Sequence, residues 1–95
     1  MAVIDNALEI IHDEKNYKFY CMVEKKECFV DYSIDENTID FFHTYVPQSL
    51  RHQGIARKIY NHITAWLKNE ESRGRKFSIK TSCSYAEKYF KENKQ

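Results

Sequence analysis

The run Arg51-His52-Gln53-Gly54-Ile55-Ala56 sets a cation three residues ahead of a glycine and a small residue just behind it. From Gly54 onward the spacing turns helical. Ile55, Ile59, Ile63, Trp66 and Leu67 form one apolar stripe, with Arg57, Lys58, Asn61 and Lys68 opposite. The first turn of a helix carries N–H groups without internal partners, aligned with the positive end of the helix dipole. Such a terminus binds phosphate. Gly54 and Ala56 would let a ligand approach the backbone closely, and Arg51 could pair with a phosphate oxygen. Arg51, His52, Arg57 and Lys58 concentrate positive character in a chain whose formal charge is only +1. The run is not a P-loop, since no G-K-[ST] follows, and it is not G-x-G-x-x-G.

Cys83 and His43 are the other reactive side chains. Cys83 follows a short alternating strand, Lys76–Thr81, and precedes a helix over Ser84–Lys91 whose start is marked by Ser84 and Glu87, an S-x-x-E capping box. A thiol beside a helix N-terminus suits a nucleophile that accepts an acyl group. His43, inside an aromatic strand, could serve as a base. The plainer readings are a small buried hydrophobe for the cysteine and a packed core residue for the histidine. His12, His52 and His62 show no metal-ligand spacing with any Cys or acid, so no metal is expected.

Positioning these groups requires a sheet. Tyr17–Val23 and Cys28–Ile34 read as a β-hairpin around Glu24-Lys25-Lys26-Glu27. With Lys25-Lys26 at the tip, Val23 faces Cys28, Cys21 faces Val30, Phe19 faces Tyr32 and Tyr17 faces Ile34, all on one side. Cys21 and Cys28 thus belong to the core. After a turn at Asp35-Glu36-Asn37, Thr38–Val46 forms a third strand. Ile39, Phe41 and Tyr45 lie on one face and Phe42 and Val46 on the other, which predicts a central strand covered on both sides. Pro47 ends it and Gly74 closes the long helix. Tyr85, Tyr89, Ala86 and Phe90 give the last helix an apolar side. The first twelve residues fit helix or strand. The fold class is α+β: antiparallel strands, then helix, strand and helix.

Ninety-five residues suffice for one compact domain, residues 1–95. Near-balanced charge gives no global footprint for nucleic acid or an anionic membrane. Three cysteines without a C-x-x-C pair argue against a disulfide scaffold or zinc site. With no signal-peptide pattern and no long apolar run, a cytoplasmic location is expected.

R-x-x-G-x-A, set between a strand ending in Val-Pro and an amphipathic helix, resembles the acetyl-CoA signature Q/R-x-x-G-x-G/A of the GNAT acetyltransferase superfamily. His43-Thr44-Tyr45-Val46-Pro47, Gly54-Ile55-Ala56 and Ser82-Cys83-Ser84-Tyr85 together resemble its small single-domain members, built around a His and a Cys. The resemblance runs from about Ile11 to Phe90, and Ala56 stands where many members have Gly. It implies a GNAT-like mixed sheet truncated by loss of the helices between the first two strands. It also implies acetyl-CoA (coenzyme A) as donor, bound by Arg51, His52, Gln53, Gly54, Ile55, Ala56 and Arg57. The pantetheine arm would meet exposed backbone near Val46, with Cys83 and His43 as the catalytic pair near the end of that arm. Tyr85 lies one turn early for the superfamily's tyrosine acid and reads as a core aromatic.

The expected activity is N-acetylation of an amine, directly or through Cys83. The acceptor is left open among a protein lysine, a terminal amine, a polyamine and a small metabolite. A non-catalytic CoA-binding module is the alternative. An interaction domain using the basic residues Arg51, His52, Arg57, Lys58, Arg73, Arg75 and Lys76 is a third reading, with nucleic acid not expected. A monomer or weak dimer fits the exposed aromatics.

Overall fold

The computed structural model describes residues 8–92. Its elements are β1 (Ile11–Asp13), β2 (Lys18–Val23), β3 (Lys26–Asp35), β4 (Thr38–Tyr45), a 3-10 turn (Gln48–Leu50), α1 (Ile55–Ser72), β5 (Ser78–Thr81) and α2 (Ser84–Glu92). One five-stranded sheet runs β1-β2-β3-β4-β5. The first four strands are antiparallel neighbours, and β5 returns parallel to β4 after α1. The α+β order read from the sequence holds. Ile11–Asp13 takes the strand option, while residues 1–7 of that ambiguous stretch lie outside the described residues.

The hairpin register differs from expectation by two residues. Cys21 faces Cys28, Phe19 faces Val30 and Val23 faces Lys26, so the tip is Glu24-Lys25. Both tip residues have positive φ, 53° and 66°, as a two-residue turn matched to strand twist requires. A slip of two keeps side-chain parity, so the face survives. Phe19, Cys21, Val23, Cys28, Val30 and Tyr32 are all buried. Tyr17 falls outside the strand and is half exposed.

Both helices cover one face of the sheet. The Phe41 ring meets Tyr60 of α1 at 6.0 Å and Phe90 of α2 at 5.6 Å. Tyr60 in turn stacks with Tyr85 at 5.5 Å and packs against Tyr89 at 5.2 Å. Core aromatics thus weld α1, α2 and β4 together. The expectation of a sheet covered on both faces is wrong among the described residues, because Phe42 and Tyr45 project from β4 and stay 47% and 40% exposed. A β-bulge explains the altered pattern. Asp31 pairs with His43 and Tyr32 with Phe41, so Phe42 is an extra residue that reverses parity beyond it. Tyr45 therefore shares the open face with Phe29, 5.5 Å away, rather than the core with Ile39 and Phe41.

The termini of α1 differ in kind. At its end Arg75 N–H donates to Glu70 C=O at 2.8 Å and Gly74 N–H to Glu71 C=O at 3.0 Å, with Gly74 at φ 94°. That is a Schellman closure. At its start Gly54 is the cap residue, at φ 78°, with no side-chain hydrogen bond and no acid in the first turn.

Candidate active site

The loop before α1 is built to deliver an open helix end. Pro47 starts the 3-10 turn, Leu50 N–H donates to Pro47 C=O at 2.8 Å, and the buried Leu50 side chain pins the turn to the core. His52 and Gly54 then take left-handed conformations, φ 68° and 78°, which swing the chain into α1. Only glycine enters that region without strain, so His52 stores some. Arg51 folds back, its Nε donating to Val46 C=O at 2.9 Å.

A cavity of about 400 Å³ opens where the end of β4, this loop and α2 converge. Val46, Arg51, His52, Gly54, Ile55 and Ala56, six of the eight residues expected to hold a cofactor, line it. Gln53 and Arg57 do not line it; the Arg57 guanidinium lies over the Tyr89 ring at 5.7 Å, bracing α2. Thr44 and Tyr85 also line the cavity. Tyr85 is partly exposed there, which corrects its reading as a core aromatic. Burial, the largest influence, pushes its phenol upward from its ordinary value.

Cys83 is held from two sides. Its N–H donates to Phe41 C=O at 3.2 Å, and its Sγ donates to Thr44 Oγ1 at 3.3 Å. The preceding Ser82 is clamped by Asp40, which accepts from its N–H at 3.0 Å and its hydroxyl at 2.9 Å. Glu87 N–H donates to the Cys83 carbonyl at 3.0 Å. Cys83, not Ser84, therefore holds the cap position of α2. Thr44 Oγ1 also lies 2.6 Å from the Tyr60 hydroxyl, forming a chain Cys83–Thr44–Tyr60 that ends in the core. Burial raises the Tyr60 phenol well above its ordinary range, Thr44 opposing only in part. Burial likewise pushes the Cys21 thiol up to about 11.

His43 lies elsewhere. Neighbouring strand residues point to opposite faces, and while Thr44 reaches Cys83 on the helix side, His43 stands on the open face. There its Nδ1 is 3.6 Å from Asp31 Oδ2, and its ring meets Phe29 edge-on at 5.4 Å. The structure does not bring His43 and Cys83 together as a contacting pair. Thr44, Tyr60, Asp40 and Asp31 were not singled out from sequence. Only Thr44 had a legible signal, as a hydroxyl one residue from His43 in an otherwise aromatic strand.

Past Phe41 the strand β4 has no parallel partner, because its pairing with β5 ends at Phe41 and Thr81. The stretch Phe42–Tyr45 thus borders the cavity on one face and open surface on the other. Among the described residues no group of His, Cys, Asp and Glu could hold a metal ion, and no helix is long and apolar enough to cross a membrane.

The sequence model of a family described as GCN5-related N-acetyl-transferase matches residues 18–95, beginning at the first residue of β2. No curated protein matches the chain.

Proposed function

The chain belongs to the GCN5-related N-acetyltransferase family, and from that premise we propose that it binds acetyl-CoA at the start of α1 and passes the acetyl group to an amine. The observation that carries the reading is the uncapped α1 terminus, with glycine at positive φ and no first-turn acid, opening into a cavity at the end of β4. A pyrophosphate there would be met by aligned amides, while the unpaired edge of β4 near Val46 would receive the pantetheine amides. Arg51 would exchange its bond to the Val46 carbonyl for a phosphate oxygen, freeing that carbonyl.

Transfer is direct in this reading. The Sγ of Cys83 meets a hydroxyl, which is not a base, whereas His43 faces the side from which an acceptor can arrive. His43 takes one proton from the acceptor's ammonium group, the freed nitrogen lone pair attacks the thioester carbonyl, the C–S bond breaks, and the leaving thiolate takes a second nitrogen proton, leaving a neutral amide. Holding amine and thioester together supplies the main rate gain. His43 thus serves the acceptor, and Cys83 shapes the strand gap.

Isothermal calorimetry with acetyl-CoA tests the donor site. The wild type should bind and Arg51→Glu should bind at least about tenfold more weakly, a difference of about 1.4 kcal/mol. Equal affinity, or none in either, removes the site. Turnover of Cys83→Ala near the wild-type level supports direct transfer, and an acetyl adduct on Cys83 with an inactive alanine variant overturns it.

A further inference from the structure

We infer that a cleft on the open face of the sheet, lined by Tyr17, Asp31 and Phe42, is the acceptor site and takes primary alkylammonium groups. Its acceptor role rests on acetyl-CoA occupying the helix-side cavity.

The cleft measures about 400 Å³. Its two aromatic walls arise from backbone irregularities. The bulge pushes Phe42 outward, leaving it 47% exposed. Tyr17 sits at φ 56°, half exposed, its carbonyl accepting the Tyr32 N–H at 3.0 Å and its ring edge-on to Tyr32 at 5.7 Å. Asp31 and Ser33 line the same cleft as these two aromatic residues. A carboxylate that shares a cleft with exposed aromatic rings attracts a cation by charge and by the ring quadrupoles. A neutral alcohol or a carboxylate ligand gains neither.

The same face already holds one ammonium in this manner. Lys18 Nζ lies 5.3 Å from the Tyr20 ring centre and 5.5 Å from that of Phe29, and donates to Glu27 at 3.0 Å. Although Lys18 faces Asp31 in the β2–β3 register, its charge is spent on Glu27. The ion partner of Asp31 among the described residues is His43, at 3.6 Å. His43 lies one residue from Phe42 on the part of β4 that has passed its pairing with β5 but still pairs with β3, and the next residue, Thr44, lines the donor cavity.

An ammonium bound at Asp31 gives one proton to the adjacent His43. Its lone pair forms the C–N bond, the thioester C–S bond breaks, and the departing thiolate takes the second nitrogen proton. The product is a neutral amide, which the carboxylate no longer holds, so release follows from the loss of charge.

Titrating ¹⁵N-labelled protein with n-butylammonium, with 1-butanol as neutral control, tests the cleft without any donor. Amide shifts should centre on Tyr17, Asp31, Ser33 and Phe42. Asp31→Asn should weaken them about tenfold, and Phe42→Leu, which keeps bulk but loses the ring, several-fold. In steady-state assays Asp31→Asn should raise KM for the amine while calorimetric affinity for acetyl-CoA stays within about twofold. A lysine peptide blocked at its amino terminus and 1,5-diaminopentane serve as the two acceptor arms, and the arm with the higher kcat/KM identifies the source of the ammonium. Failure of acetyl-CoA to bind the wild type overturns the donor reading and the acceptor role with it. Normal acetyl-CoA binding with no butylammonium shifts at the cleft, or equal shifts from butanol, overturns the cleft alone.

Discussion

Thr44 is the side chain on which the helix side of the site turns. Its hydroxyl is the partner of the Tyr60 phenol at 2.6 Å and the acceptor for Cys83 Sγ at 3.3 Å, and Tyr60 is fully buried. An orphaned buried hydroxyl costs about 1–3 kcal/mol, whereas replacing both partners by apolar groups of similar shape is nearly neutral. Thr44→Val should therefore destabilise the protein by roughly that amount in urea unfolding. Adding Tyr60→Phe should recover most of the loss. If the double variant is no more stable than Thr44→Val, the Thr44–Tyr60 bond does not carry the energy assigned to it. The sequence shows a threonine in an aromatic strand. It cannot show that a bulge two residues earlier turns that threonine, and not Tyr45, toward the helices.

Elements were legible where a single physical rule decided them. The α1 stripe of Ile55, Ile59 and Ile63 is fully buried as its 3.6-residue spacing demands, and Gly74 closes the helix. The core face of the hairpin was legible because parity survives a two-residue slip, but the register was not. Glu24 and Lys25 carry no Asn-Gly mark although both adopt positive φ. The bulge at Phe42 left no trace, since an extra aromatic in an aromatic strand looks like continuation. For the donor site the decisive element feature is Gly54. A Cβ built there meets nothing within 4 Å, so only its φ of 78° resists substitution. Gly54→Ala should cost about 1–2 kcal/mol for the left-handed backbone, offset in part by about 0.4–1 kcal/mol from a stiffer unfolded chain. Its effect on the ligand is larger in this reading, because the added methyl enters the space a pyrophosphate would use. Acetyl-CoA affinity in calorimetry should fall by more than about tenfold while the melting temperature falls by only a few degrees. A variant that binds normally would place the ligand elsewhere.

At the scale of the whole molecule, stability and pH are coupled through His12, far from the donor cavity. His12 stacks on Phe19 at 3.9 Å, meets Trp66 edge-on at 4.8 Å, and bonds the Tyr32 hydroxyl through Nε2 at 2.6 Å. It joins the first strand to α1 across the core. Burial lowers its pKa from the ordinary 6.5, and the Glu14 carboxylate 3.7 Å away offsets only part of that. Tyr32, pushed up to about 12 by burial, stays a neutral partner. The sign follows from proton counting: below about 6.5 the unfolded chain binds a proton that the folded chain resists, so unfolding is favoured as pH falls. Stability from this group is complete above 6.5 and is lost as pH drops toward the lowered folded value. Asp13, held low chiefly by its bond from Asn16, loses its contribution only as pH falls below the ordinary 3.8, outside that window. The melting temperature should therefore drop between about pH 7.5 and about pH 5.5 in the wild type. His12→Gln, whose amide can still reach Tyr32, should flatten that slope even if it is less stable throughout. A slope unchanged by the substitution would mean that His12 titrates alike in the folded and unfolded chain, and that its place in the core is less enclosed than its three ring contacts imply.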